Sequence, residues 1–197
     1  MGLKLNTASS GSVSLEPANT ASNYTVTIPA GTGTAAIQGV STNIVSGTAV
    51  ASTSGTSIDF TGIPSWVKRI TVMFNGVSKS GTADLLIQSG SGSIENTGYI
   101  STATFTNDAA SIIGASSTIG YRLSANTQAA TNLYGSVTLT NINSNLWIES
   151  GVLSSGTTAT YQSAGSKSFG GVIDRIRITT TNGTDTFDAG TINILYE

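Results

Sequence analysis

The segment "KRITVMFNG", residues 68–76, places Ile70, Val72 and Phe74 in strict alternation with Arg69, Thr71, Met73 and Asn75. A period of two is what a half-buried strand demands, because successive side chains of an extended chain point to opposite sides. A helix needs apolar residues at i, i+3, i+4 and i+7 instead. The core face of this strand is therefore expected to be Ile70, Val72 and Phe74. Similar short runs recur at "ADLLIQSG", "TGYISTATF", "STIGYRLS", "LYGSVTLTN", "NLWIESGVL", "VIDRIRITTTNG" and "TFDAGTINILYE", each bounded by Gly, Asn, Ser or Asp clusters. Helical spacing is scarce, and only "TNDAASIIGAS" offers a short helical turn. The chain is expected to be all-β, with seven or eight strands making a jelly-roll-like β-sandwich head.

The best-specified segment, "SIDFTGIPSWVKRITVMFNGVS" at residues 57–78, marks where that head begins. Pro64 breaks the preceding strand, so Ser65 and Trp66 are expected to form a corner leading into the long core strand. Residues 1–50 differ in kind. "GSVSLEP" and "NYTVTIP" are two short alternating stretches, carrying Val13 and Leu15 on one and Tyr24, Val26 and Ile28 on the other, joined by the turn-like "ANTAS". Such a hairpin is marginal alone, and the Gly, Ser, Thr and Ala bias up to residue 50 is that of a linker. The expected organisation is an N-terminal anchoring arm and linker over 1–50 and a β-sandwich head over 51–197. The arm would dock on other chains through Val13, Leu15, Tyr24, Val26 and Ile28, adding strands to a neighbour's exposed edge.

Charge narrows the functional classes. Only 9% of residues are charged, against roughly 25% in ordinary soluble domains. Solubility must come from hydroxyls and amides, a surface suited to close packing against other protein. A net charge of -2 leaves no footprint for nucleic acid, whose binding rests on Lys and Arg at phosphates. The absence of both Cys and His removes disulfides, thiolate and Ser-His-Asp nucleophiles, and the usual zinc sites. "MGLKLNTASS" lacks an apolar core of signal-peptide length, and no window approaches 18 consecutive apolar residues. Neither export by a signal peptide nor a membrane span is expected; manufacture in a cytoplasm followed by incorporation into an assembly fits better.

The candidate sites are few. "GTGTAA", residues 31–36, matches the spacing of a dinucleotide loop but follows Pro29 and precedes a Thr/Ser-rich stretch, so it reads as linker and implies no cofactor. Asp59, Asp84, Glu95, Asp108, Glu149, Asp174, Asp185 and Asp188 are scattered singly and read as solvated loop or turn carboxylates rather than a hydrolase pair. Asn182, Asp185 and Asp188 in "NGTDTFD" could wrap a hard cation, but a hairpin turn explains the same residues. Trp66, Trp147 and Tyr121, with Tyr99, Tyr134 and Tyr161, offer either a stacking platform for a glycan or core and subunit-interface packing. Arg175 and Arg177 alternate with Ile176 and Ile178 and are expected on the opposite, solvated or ion-paired face. No catalytic, cofactor or metal residues are assigned.

Two stretches carry a resemblance. "SGSVSLEPANTASNYTVTIPAGTGTA" resembles a short N-terminal segment of many tailed-bacteriophage virion proteins, and "SGTSIDFTGIPSWVKRITVMFNGVSKSGT" resembles the opening of a β-domain common in phage, especially cyanophage, structural proteins. The closing "AGTINILYE" looks like the last strand of such domains. The resemblance implies a non-enzymatic virion protein, a homotrimeric surface appendage assembled in the host cytoplasm and anchored by its arm. A capsid decoration or cement protein, or a head fibre, bound to the major capsid protein, is the favoured placement. The alternative is a tail-fibre tip that binds a host-surface glycan.

Overall fold

Ile70, Val72 and Phe74 all turn inward, at 0%, 0% and 4% exposed, as the alternation requires. The computed structural model describes residues 44–197. Val13, Leu15, Tyr24, Val26, Ile28 and the "GTGTAA" stretch lie outside the described residues. Within them thirteen strands occur and no helix: β1 (Val45–Ser46), β2 (Val50–Ala51), β3 (Ile58–Thr61), β4 (Arg69–Lys79), β5 (Leu85–Gly90), β6 (Ile100–Asn107), β7 (Ile112–Ser117), β8 (Tyr121–Arg122), β9 (Leu133–Asn143), β10 (Leu146–Ser154), β11 (Ala159–Ser168), β12 (Arg175–Thr180) and β13 (Phe187–Tyr196).

Every pairing is antiparallel, and the strands divide into two sheets. The larger has nine strands in the order β1-β13-β4-β9-β10-β11-β6-β7, with β2 also on β13; the smaller runs β3-β12-β5-β8. Their apolar faces meet in one core. Ile58, Phe60, Ile176, Ile178 and Ile87 come from the small sheet, and Ile70, Val72, Phe74, Val137, Leu139, Ile192 and Ile194 from the large one. At about 1.5–3 kcal/mol for each fully buried aliphatic side chain, this shared layer is the main stabilising term. Central β5 is buried on both faces. The chain between β7 and β8 lies across it, so Gln88 Nε2 donates to Ile119 O at 2.8 Å.

The corner before β4 forms as expected. Gly62 takes φ 76°, and Val67 N donates to Pro64 O at 3.1 Å, which turns the chain from the small sheet into the large one. Two expectations are corrected. "TNDAASIIGAS" is not a helical turn but the β6–β7 hairpin: Asn107 accepts from Ala110 N on its backbone and from Ser111 N on its side chain, both at 3.0 Å. A single apolar pair, Ile112–Ile113, has no helical partner a turn away, so the local Asn turn prevails. The boundary at residue 50 is also too late. Val45 and Ser46 pair with Tyr196 and Leu195, and Val50 and Ala51 with Ile192 and Thr191, so the end of the expected linker belongs to the large sheet.

Candidate functional site

The period of two that builds the core also decides what faces outward. On β10, Trp147, Glu149 and Leu153 are buried while Ile148, Ser150 and Val152 are exposed. The register carries these outward positions across the sheet. One row runs Thr71, Thr138, Ser150, Ala164, Thr102, Ser116 through β4, β9, β10, β11, β6 and β7. The next runs Met73, Ser136, Val152, Gln162, Thr104, Gly114 on the same strands. A third joins Thr140, Ile148, Ser166 and Ile100. On β4 the third row begins with Arg69, opposite Thr140; it pairs with Glu197 and is the one charged residue in these rows. Apolar side chains interrupt the hydroxyls, with Ile100 at 77%, Ile112 at 75% and Val152 at 53% exposed.

Six strands about 4.8 Å apart and roughly eight residues long at about 3.3 Å each give a face on the order of 750 Å². A standard protein interface buries about 800 Å² per partner. The face ends at β7, which pairs only with β6 among the described strands. Its sequence "IIGASS" carries none of the charges or prolines that normally protect an edge. At the opposite margin the two-residue β1 and β2 cap β13, an edge kept short. What the surface offers is an array of hydroxyl donors and acceptors, branched apolar side chains and unpaired backbone, with Arg69 at its margin as the one charge in the rows.

Other charges lie elsewhere. Arg177 grips Asp59 with two bonds of 2.7 Å, and Arg175 Nε meets Asp174 Oδ1 at 2.7 Å. Arg177 and Asp59 stand opposite each other on β12 and β3, so Arg175 and Arg177 do lie on the face opposite Ile176 and Ile178, and their ion pairs form within the chain. The Arg175 guanidinium holds the Asp174 carboxyl below its usual range. Arg69 pairs with Glu197 at one end of the sandwich.

The aromatic candidates separate. Trp147, Tyr121, Tyr99 and Tyr161 are core residues at 3%, 0%, 1% and 2% exposed, so of the alternatives open for Trp147 and Tyr121 the structure takes core packing, and neither is a surface for a glycan. Each of β10, β11 and β6 has one small inner residue in this region, Gly151, Gly165 and Ser101, and a Cβ at Gly165 would meet the Tyr121 ring at 2.7 Å. Tyr99 and Tyr121 meet edge to face at 4.9 Å. Tyr121 Oη donates to Trp147 O at 3.2 Å, and burial pushes its phenol upward. Lys167 lies over Tyr99 and Phe169 at 5.3 and 5.0 Å and pairs with Glu95 at 2.8 Å. Burial opposes ionisation of Glu95, yet Lys167 and Gly170 N–H hold its carboxyl below the ordinary value. Trp66 alone of the three stays half exposed, packed near Tyr196 with ring centroids 6.0 Å apart.

Two carboxylates depart from the solvated reading, because Asp84 and Glu149 are buried at 4% and 2% exposed. Asp84 Oδ1 accepts from Thr127 N at 3.0 Å, Thr127 Oγ1 at 2.5 Å and Ser124 Oγ at 3.4 Å, while Oδ2 pairs with Arg122. It clamps the β8–β9 connection. Lys79 beside it is buried, donates to Gly81 O at 2.8 Å and has its ammonium pushed down by desolvation, against the pull of Asp84, Asp185 and Asp188. "NGTDTFD" is a hydrogen-bonded turn: Asn182 Oδ1 accepts from Thr184 N at 3.0 Å and Asp185 N at 3.1 Å. The Asp185 carboxylate, held low by Asn182 and Ala83 N–H, serves that turn. Among the described residues no group of three acidic side chains is placed to hold a metal.

Comparison of the chain with protein-family models, with curated proteins and with solved structures found no match. The surface must therefore be interpreted from its own geometry and from the sequence resemblance.

Proposed function

We propose that this chain is a non-enzymatic structural protein that works by assembly, burying the outer face of its large sheet and the β7 edge against further copies of itself. The observation that carries this reading is the scarcity of charge across six strands, Arg69 at the margin of β4 being the one charged residue of the rows, ending in an unprotected edge. A free monomer gains nothing from such an edge and risks uncontrolled pairing through it. Three-fold symmetry and a virion setting follow from the resemblance of residues 54–82 to phage structural β-domains. On that basis the protein is a homotrimeric appendage on a phage capsid, a decoration or cement protein or head fibre, with residues 1–43 as its anchoring arm. A tail-fibre tip that recognises a host glycan is the second reading, favoured by a neutral cleft at one end of the sandwich.

The strand order supports calling the sandwich jelly-roll-like. From β3 onward the chain visits the small sheet with β3, β5, β8 and β12 and the large sheet with β4, β6, β7 and the β9–β11 meander. In order of visit, the small sheet reads first, eighth, third, sixth and the large sheet second, seventh, fourth, fifth. That order matches a double Greek key of eight strands when the three-stranded meander is counted as the seventh and β13 as an addition beside the second, which supports the jelly-roll reading.

Light scattering of the full-length protein at micromolar concentration tests the reading. Wild type is expected at three times the chain mass, and Val152→Lys combined with Ile112→Lys at one, with an unchanged melting temperature. A monomeric wild type, or a charged variant that still forms trimers, would remove the basis for assembly through this face.

A further inference from the structure

At one end of the sandwich three connections converge on a cleft of about 520 Å³, within the roughly 300–1,000 Å³ of small-ligand sites. The end of β6 supplies Phe105 and Asn107, the β8–β9 connection supplies Asn126, Gln128 and Asn132, and Tyr134 opens β9. Beneath them Phe105 and the buried Tyr161 pack with centroids 5.5 Å apart, and Tyr134 is 39% exposed. The β10–β11 turn adds hydroxyls from Ser155, Thr157 and Thr158, and nothing in the lining is charged.

The cleft is built rather than incidental. Asn126 and Ala130, at φ 56° and 55°, hold a left-handed backbone that costs a non-glycine residue on the order of 1 kcal/mol or more and persists only where the surroundings enforce it. The enforcement comes from below. Asp84 fixes Thr127 by its N–H and hydroxyl, and Ala130 N donates to Lys79 O at 2.9 Å. Thr127 is thus tied into the buried layer while its neighbours Asn126 and Gln128 stay exposed, so the connection presents carboxamides on a rigid frame.

The chemistry of the lining selects its ligand. Without charge it neither compensates an anion nor a cation. Each carboxamide presents a donor and an acceptor side by side, the pattern that adjacent hydroxyls of a sugar ring complement, and Tyr134 and Phe105 give apolar faces for its C–H groups. We propose that this cleft binds a neutral saccharide, with Gln128, Asn132 and Tyr134 as its principal contacts. The site goes beyond assembly and is independent of it: a trimer that binds no sugar keeps the first reading and loses this one.

The test is an array of neutral, sialylated and sulfated oligosaccharides probed with the labelled full-length protein, followed by calorimetric titration of the strongest neutral hit. Neutral glycans are expected to bind. Gln128→Ala and Asn132→Ala are each expected to weaken the hit about tenfold, the loss of one well-made hydrogen bond, with melting temperature unchanged, while Asn96→Ala, an exposed site outside the cleft, leaves affinity as it was. Absence of any neutral ligand up to millimolar concentration, binding confined to acidic glycans, or full affinity in both cleft variants would overturn the proposal.

Discussion

Ser163 Oγ donates to Glu149 Oε1 at 2.6 Å inside the core, while Glu149 Oε2 has no partner among the described residues. Desolvation dominates this carboxyl and lifts it from 4.5 to about 7, with the Ser163 bond pulling only weakly the other way. A folded-state value raised above the unfolded one means the native state holds the proton more tightly. The stabilisation is complete below about pH 4.5 and is lost as pH rises to about 7, a change of roughly 3 kcal/mol. Glu149→Gln is expected to flatten the fall in melting temperature between pH 5 and 8. A wild type whose melting point holds steady over that range would refute the buried, protonated carboxyl.

Asp84 differs from Glu149 in having its buried oxygens fully partnered. Arg122, Thr127 and Ser124 surround it, and removing one partner of a buried ion pair leaves the rest unsatisfied. Asp84→Ala is expected to cost roughly 3 to 5 kcal/mol in urea unfolding. It is also expected to speed hydrogen exchange at the Thr127 amide ahead of the core strands. Uniform exchange across the chain would show that the clamp has no local role.

Gly165 tests the inner face of β11. A Cβ there meets Tyr121 Cδ1 at 2.7 Å and Ile100 O at 2.9 Å, and neither a buried ring nor a sheet carbonyl yields easily. Gly165→Ala is expected to lower stability by roughly 1 to 3 kcal/mol, read as a shifted denaturant midpoint. A midpoint equal to wild type would mean that Tyr121 has room to move.

The same strand shows where the sequence stops being legible. β4 announced itself because its inward residues are Ile70, Val72 and Phe74, large and apolar at every second position. β11 turns Tyr161, Ser163, Gly165 and Lys167 inward, small or polar residues that fit only because Tyr99 and Tyr121 arrive from elsewhere in the chain. No local pattern can encode that. For Trp147 and Tyr121 the sequence left core and surface both open for the same reason: an aromatic on a strand looks alike on either face until the register is known. The outer face of the large sheet was visible only as a composition, poor in charge, and it took the pairing of six strands to gather Thr, Ser and Ile into rows. Gln128 and Asn132 sit in a polar connection without periodicity, so their convergence with Asn107 and Tyr134 had no sequence signal.

The division between arm and head gives the last prediction. Ser52 is fully buried, its N donating to Gly190 O at 2.9 Å and its Oγ to Ala189 O at 2.7 Å. Gly47 N donates to Ile194 O at 2.8 Å, and Val50 packs on the core. A cut after residue 52 therefore removes β1 and β2 and bares the edge of β13, whereas a cut after residue 43 spares both. The 44–197 fragment is expected to melt close to the full chain. The 53–197 fragment is expected to lose about 2 to 4 kcal/mol from the missing bonds and the uncovered Val50 site, and to aggregate through the exposed strand. Scanning calorimetry of the two fragments side by side decides it, and equal melting temperatures would show that residues 44–52 contribute nothing to the head.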